Sequence, residues 1–171
     1  MNKSDDETIK ICKKLGVNFY RGSLKNVAKR YYDILINHES DYFIRISADS
    51  PLIDTKLIDF IAHKKNIRYD IVTNVLKRSY PKGQSVELLK TKFFLENYKY
   101  IKSKNDLENV TSYFYRNSNR FKILNIENKI DFSFINLSVD TIEDLKKIRK
   151  IYKNTKIKNW LSYTKDYLKY L

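Results

Sequence analysis

Segments of helical periodicity alternate along this chain with short runs of β-branched and aromatic residues, and that alternation limits the fold more than any other feature. Ile9, Cys12 and Leu15 recur three apart behind Ser4 and Glu7, a pair at capping-box spacing, and Gly16 follows as a stop. Residues 17–20 read as a short strand. Ser23 is expected to cap a second helix that turns Val27, Tyr31, Ile34 and Leu35 inward. The run DYFIRIS, residues 41–47, has strand composition and strand length, and Asp54 is placed to cap a helix burying Leu57, Ile58 and Ile61. Further strands are predicted over 69–73, 85–89, 121–126 and 136–139. Helices are predicted over 91–102, 106–116, 142–153 and 159–169. The pattern describes one α/β domain over residues 1–171, a sheet with helices on its faces.

In sheets of this kind ligands sit outside the carboxyl ends of the strands. The loops leaving strands in that sense start at Arg21, Ala48, Asn74 and Asp140. The chain has only three Gly and two Pro, and Gly22, Pro51, Pro81 and Gly83 fall in these loops, so backbone geometry is expected to demand them there. Asp49 follows an apolar strand in RISADSPLID, and Asp140 repeats the arrangement in LSVDTIEDL. Two carboxylates on neighbouring strand ends suit Mg2+, which takes one or two protein carboxylates plus substrate phosphates. Read locally, each Asp serves equally well as a helix N-cap.

Composition narrows the function classes. With 42% hydrophobic and 14% aromatic residues the 171-residue chain is too apolar for disorder, and no apolar run nears the roughly 18 residues that a membrane span needs. The first ten residues carry no apolar stretch of signal-peptide type. Cys12 is the single cysteine, which excludes an internal disulfide and suits a reducing cytoplasm. The 34 basic and 20 acidic residues leave +14, but the lysines are spread along the whole length. Nucleic-acid binding needs a clustered basic footprint, and the abundance of Lys, Asn, Ile, Tyr and Phe fits an A/T-rich codon pool instead.

The string GVNFYRGSLKNVAKRYYDILINHESDYFIRISADSPLID resembles the middle of the cytidylyltransferases of the spore-coat polysaccharide type, relatives of the acylneuraminate and KDO cytidylyltransferases. YPKGQSVELL, ENVTSYFYRN and LSVDTIEDLKKI continue the resemblance in the family's order and spacing, over residues 5–152. The resemblance implies a three-layer, nucleotide-diphospho-sugar transferase-like (Rossmann-like) sheet. It implies transfer of CMP from CTP to a sugar or sugar-acid hydroxyl for surface polysaccharide synthesis, with Mg2+ as cofactor. Asp49 matches the family's first magnesium-binding aspartate, in D-x-P-L, and Asp140 the second, in V-D-T-x-E-D. Arg21, Gly22, Ser23 and Arg30 match the loop and helix bordering the acceptor pocket, and Gly83 and Glu87 match a G-x-x-x-E stretch. The two arginines would hold an anionic acceptor through paired hydrogen bonds; the plain alternative is surface arginine.

The sequence departs from the family at three places. The family's Glu-His-Val-Thr is Glu108–Asn109–Val110–Thr111 here, and the aspartate of its G-l-D-v-E is Ser85. The family's opening strand and L-x-A-R-x-x-S-x-R-L-P-x-K loop, which binds cytosine and triphosphate, has no counterpart. The expectation is therefore a chain lacking the first βαβ unit, impaired in CTP binding by itself and prone to associate with another copy. A non-catalytic sugar- or partner-binding module and a basic nucleic-acid binder are the alternative readings.

Overall fold

A computed structural model of the protein describes residues 5–169. In chain order the elements are α1 (Asp6–Lys14), α2 (Val27–Leu35), β1 (Tyr42–Arg45), α3 (Thr55–Ala62), β2 (Ile71–Thr73), β3 (Glu87–Lys90), α4 (Thr91–Asn97), α5 (Lys104–Asn109), α6 (Ser112–Arg116), β4 (Ile123–Asn125), α7 (Ile142–Asn154) and α8 (Trp160–Leu168). They gather into two compact units. One holds the chain up to Glu39 together with Leu95–Tyr113, and the other holds Ser40–Phe94 together with the chain from Phe114 onward.

In the first unit, α1 carries Asp6 and Glu7 in its first turn and Lys13 and Lys14 in its last, which complements the helix dipole. Its expected cap, Ser4, lies outside the described residues. The strand predicted over 17–20 does not form: among the described residues no strand pairs with its backbone groups, and Val17, Phe19 and Tyr20 stay about half exposed. Helix α2 is capped by Asn26, whose side chain accepts from the Lys29 N–H at 2.8 Å, not by Ser23. Ser23 Oγ instead accepts from the Asn26 N–H, one turn too early to cap the helix. Ala28 and Leu35 are the fully buried residues of α2, which packs on α5, while Val27, Tyr31 and Ile34 are half-buried. The helix predicted over 106–116 breaks at Val110, which takes a positive φ of 49° between α5 and α6.

The second unit is built on a four-stranded mixed sheet of order β1-β3-β2-β4. β3 runs antiparallel to both neighbours, and β2 and β4 are parallel. So β1, β2 and β4 end at one edge, and β3 begins there. Arg45, Glu87, Thr73 and Asn125 form a row across that edge, each paired in register with the next. Side chains alternate across the sheet. Val72 and Leu88 join Leu57 and Ile61 of α3, Tyr80 and Val86 in one apolar cluster. Phe43 packs edge-on to Phe94, which meets Phe114, part of an aromatic set with Phe93 and Phe121. A second cluster joins Leu52, Ile135 and Leu137 to Ile148, Ile151, Tyr163 and Tyr167 of α7 and α8.

The strand predicted over 136–139 is extended but makes no ladder. It bonds to Lys82 through one isolated bridge and then, through the Val139 N–H, to the Asp49 carbonyl at 2.8 Å. Its partners are two different loops, each offering a short stretch of backbone, so regular pairing cannot propagate.

Candidate functional site

Asp49 and Asp140 meet through that last bond. The Val139 N–H to Asp49 C=O contact puts the residue before Asp140 directly on the Asp49 backbone, in a turn four residues beyond the end of β1. Neither Asp caps a helix. Asp54 caps α3 by accepting from the Lys56 N–H, and Thr141 caps α7 in a capping box with Asp144. That leaves both carboxylates for other work. Asp49 Oδ1 accepts from the Ser50 hydroxyl at 2.8 Å, and Asp140 Oδ2 accepts from Lys82 Nζ at 2.6 Å. Asp140 and Lys82 are each about half exposed, so this ion pair is open to solvent and to exchange for a ligand. Among the described residues no three His, Cys, Asp or Glu gather as a ready-made metal cluster.

A buried polar clamp positions the Asp49 loop. Gln84, fully buried, accepts from the Asp54 N–H at 3.0 Å and donates to the Leu52 carbonyl at 2.8 Å. Asn74, also fully buried, donates to the Gln84 carbonyl and accepts from the Val86 N–H. Both amides spend donor and acceptor on backbone, so loops 48–54 and 74–86 are tied together without sheet pairing. Gly83 lets this happen. It has φ +92°, and a Cβ there would lie 2.6 Å from the Leu137 carbonyl carbon.

Glu87 opens β3 in the row at the carboxyl edge, and its side chain is only 1% exposed. Arg45 pairs with one carboxylate oxygen and the Tyr115 hydroxyl donates to the other. Tyr115 Oη also lies 3.1 Å from Thr73 Oγ1. Two residues before Glu87, the Ser85 hydroxyl accepts from Arg78 Nη1 at 3.0 Å. Burial pushes the Arg78 guanidinium below its usual range, against the opposing pull of Glu87 and Tyr115.

In the other unit, Arg21, Gly22, Ser23 and Arg30 line a single cavity of about 500 Å³, with Phe19 and Tyr20 among its walls. Gly22 is where the Arg30 stem passes, since a Cβ at Gly22 would sit 2.6 Å from Arg30 Cγ. Arg21 pairs with Asp6. The Arg30 Nε is buried and has no hydrogen-bond partner among the described residues. The structure therefore brings Arg21, Gly22, Ser23 and Arg30 together in one unit, and Asp49, Asp140, Gly83 and Glu87 in the loops and sheet edge of the other. Arg45, Arg78 and Tyr115 are additions that sequence reasoning missed. An arginine inside the apolar run YFIRI was the signal for the first of them.

A family model described as "Cytidylyltransferase" matches residues 3–168. An uncharacterized protein of Methanocaldococcus jannaschii is 32% identical over 159 residues, covering 90% of this chain and 63% of that protein. The chain thus spans about 63% of the length of the curated relative it matches. A solved structure, a cytidylyltransferase from Leptospira borgpetersenii, superposes with a TM-score of 0.91 at 26% identity, over 99% of this chain and 73% of that one. Among the described residues no helix is long and apolar enough to cross a membrane.

Proposed function

The chain belongs to the cytidylyltransferase family, and from that premise we propose that it serves the transfer of CMP from CTP to a sugar or sugar-acid hydroxyl in the cytoplasm, for glycan synthesis. The mixed sheet is then the part of a three-layer, nucleotide-diphospho-sugar transferase-like fold that this chain contributes. The observation that carries the reading is the backbone bond from Val139 to Asp49, which supports a shared role for Asp49 and Asp140.

In the proposed reaction the acceptor oxygen attacks the α-phosphorus, the bond to the bridging α–β oxygen breaks, and pyrophosphate and the hydroxyl proton leave. Asp49 and Asp140 offer hard oxygen donors of the kind Mg2+ takes, so these two residues would hold the ion together with phosphate oxygens. When bound, Mg2+ would neutralise charge growing on the phosphates. Lys82, paired with Asp140 in the free protein, adds a cation beside the same acid. The Gln84 and Asn74 clamp holds the Asp49 loop in place, which spares the cost of ordering it on substrate binding. In the other unit, Arg21 and Arg30 supply guanidinium donors suited to an anionic ligand, with Ser23 and Gly22 beside them.

Ile11, Leu15, Val17 and Leu24 are more than half exposed, which favours association with a second copy. Titration calorimetry with Mg–CTP, pyrophosphate release and sedimentation on one sample test these points together. Magnesium-dependent binding that Asp49→Asn and Asp140→Asn remove supports the reading. Binding that is indifferent to magnesium and to both substitutions overturns it. A chain that stays monomeric at all concentrations overturns the expected association.

A further inference from the structure

At the carboxyl edge of the sheet Arg78 has no carboxylate as a hydrogen-bond partner among the described residues. Two guanidinium groups, Arg45 and Arg78, stand near one buried carboxylate, Glu87. That carboxylate is already engaged on both oxygens, by Arg45 on one and Tyr115 on the other. Arg78 is left with a neutral partner, the Ser85 hydroxyl, as its one hydrogen bond among the described residues. A guanidinium has five N–H donors in a planar fork, and a single hydroxyl uses one of them. Burial opposes the charge, which raises the gain from pairing it. Arg78 also sits in the 74–86 loop, held by the Asn74 and Gln84 clamp, so its backbone is ordered before any ligand arrives.

We propose that Arg78, with Ser85 beside it, forms a subsite for one oxyanion of a small substrate, a carboxylate or a phosphate. The fork takes two oxygens of the anion, and the Ser85 hydroxyl is free to turn its proton toward a third acceptor. Ser85 is what keeps the subsite open. An aspartate at that position would pair with Arg78 internally and close it. The proposal rests on the cytidylyltransferase reading only for which substrate brings the oxyanion; the subsite itself follows from charge and geometry.

The test uses the full 171-residue chain without CTP or magnesium, so that its outcome is independent of nucleotide chemistry. Backbone amide shifts of residues 75–86 are followed by NMR while inorganic phosphate, or glucuronate as a sugar acid, is titrated at constant ionic strength. The wild type should saturate with at least one probe, and which probe does so tells phosphate from carboxylate recognition. Arg78→Gln should weaken that binding at least tenfold, as loss of a charge-assisted pair does. Ser85→Asp should weaken it as much, while keeping the guanidinium and adding an ion pair, so a folding defect cannot explain its loss. Lys64→Gln, which removes an exposed cation over Phe60, should bind like the wild type. A wild type that binds neither probe, or an Arg78→Gln and a Ser85→Asp variant that both bind normally, overturns the proposal. Anion binding without CTP binding would instead sink the nucleotidyltransfer reading and leave the subsite standing.

Discussion

Replacing Glu87 by glutamine tests how the carboxyl edge is held together. The side chain keeps its shape and one acceptor oxygen, so the change removes charge rather than volume. Glu87 is 1% exposed and its partner Arg45 is 21% exposed, so the substitution takes a carboxylate charge away from a guanidinium that is mostly out of water. Removing one member of a fully buried pair costs about 3–5 kcal/mol, and the residual exposure of Arg45 brings the expected loss to about 2–4 kcal/mol. For a chain of this size a loss of about 3 kcal/mol lowers Tm by about 6–12 °C. Trp160 is the single tryptophan, lies in the same unit and packs against Tyr80 at 5.1 Å, so its fluorescence in urea reports unfolding of the relevant unit. A double variant, Arg45→Leu with Glu87→Leu, should regain most of the loss, because a buried pair exchanged for apolar groups is often neutral. A Glu87→Gln loss below about 0.5 kcal/mol, the range of ordinary surface changes, would show that the pair does not organise this edge.

Gly83→Ala should destabilise by more than about 2 kcal/mol, since φ +92° is strained for alanine and its Cβ would overlap the Leu137 backbone; urea titration checks it. Asp140→Asn should change stability by no more than about 0.5 kcal/mol, because its ion pair with Lys82 is half exposed, so any loss of magnesium-dependent CTP binding would be functional. The Asp144 carboxyl is held below its ordinary value of 3.8, first by the Thr141 hydroxyl and then by backbone N–H groups. A lowered folded pKa adds stability above the unfolded value and loses it as pH falls through the folded one. The Tm gap between wild type and Asp144→Asn should therefore be full near neutral pH and close on the acid side of 3.8, and a gap that widens with acid would refute the assignment.

What was legible in the sequence was what short-range chemistry decides. Asp54 caps α3 because its carboxylate needs only the Lys56 N–H two residues on, and Leu57 and Ile61 bury as their spacing requires. Ser23 and Asn26 are both able to cap, three residues apart. The helix starts at Val27 behind Asn26, a choice between two competent caps that no local pattern ranks. The 17–20 and 136–139 segments have strand composition, but a strand exists only with a partner, and partners are a long-range property. The antiparallel insertion of β3 between β1 and β2 has the same origin.

The candidate site divides in the same way. Asp49 and Asp140 stand out from sequence because each follows an apolar run of strand composition, although the run before Asp140 forms no ladder. Arg45, Arg78 and Tyr115 acquire meaning only from the burial of Glu87, which lies forty-two, nine and twenty-eight positions from them. Gln84 and Asn74 are quieter still, since a buried amide looks in sequence like any loop residue. Yet they explain how irregular backbone can carry the acids. The Asp49 turn has no ladder to stiffen it, and the segment before Asp140 has one isolated bridge and one bond. Gln84 satisfies one backbone donor and one acceptor of the 48–54 loop, and Asn74 one of each at Val86 and Gln84, so the two amides together do the work of a stretch of sheet. Cutting that link with Gln84→Leu leaves the Asp54 N–H and the Leu52 carbonyl buried without partners. The cost should therefore appear as about 2–4 kcal/mol of lost stability, roughly 1–3 kcal/mol per orphaned group with partial relief by water. If Gln84→Leu proved as stable as the wild type in urea, the acid-bearing loops would have to be held by Gly83 packing and the apolar clusters alone.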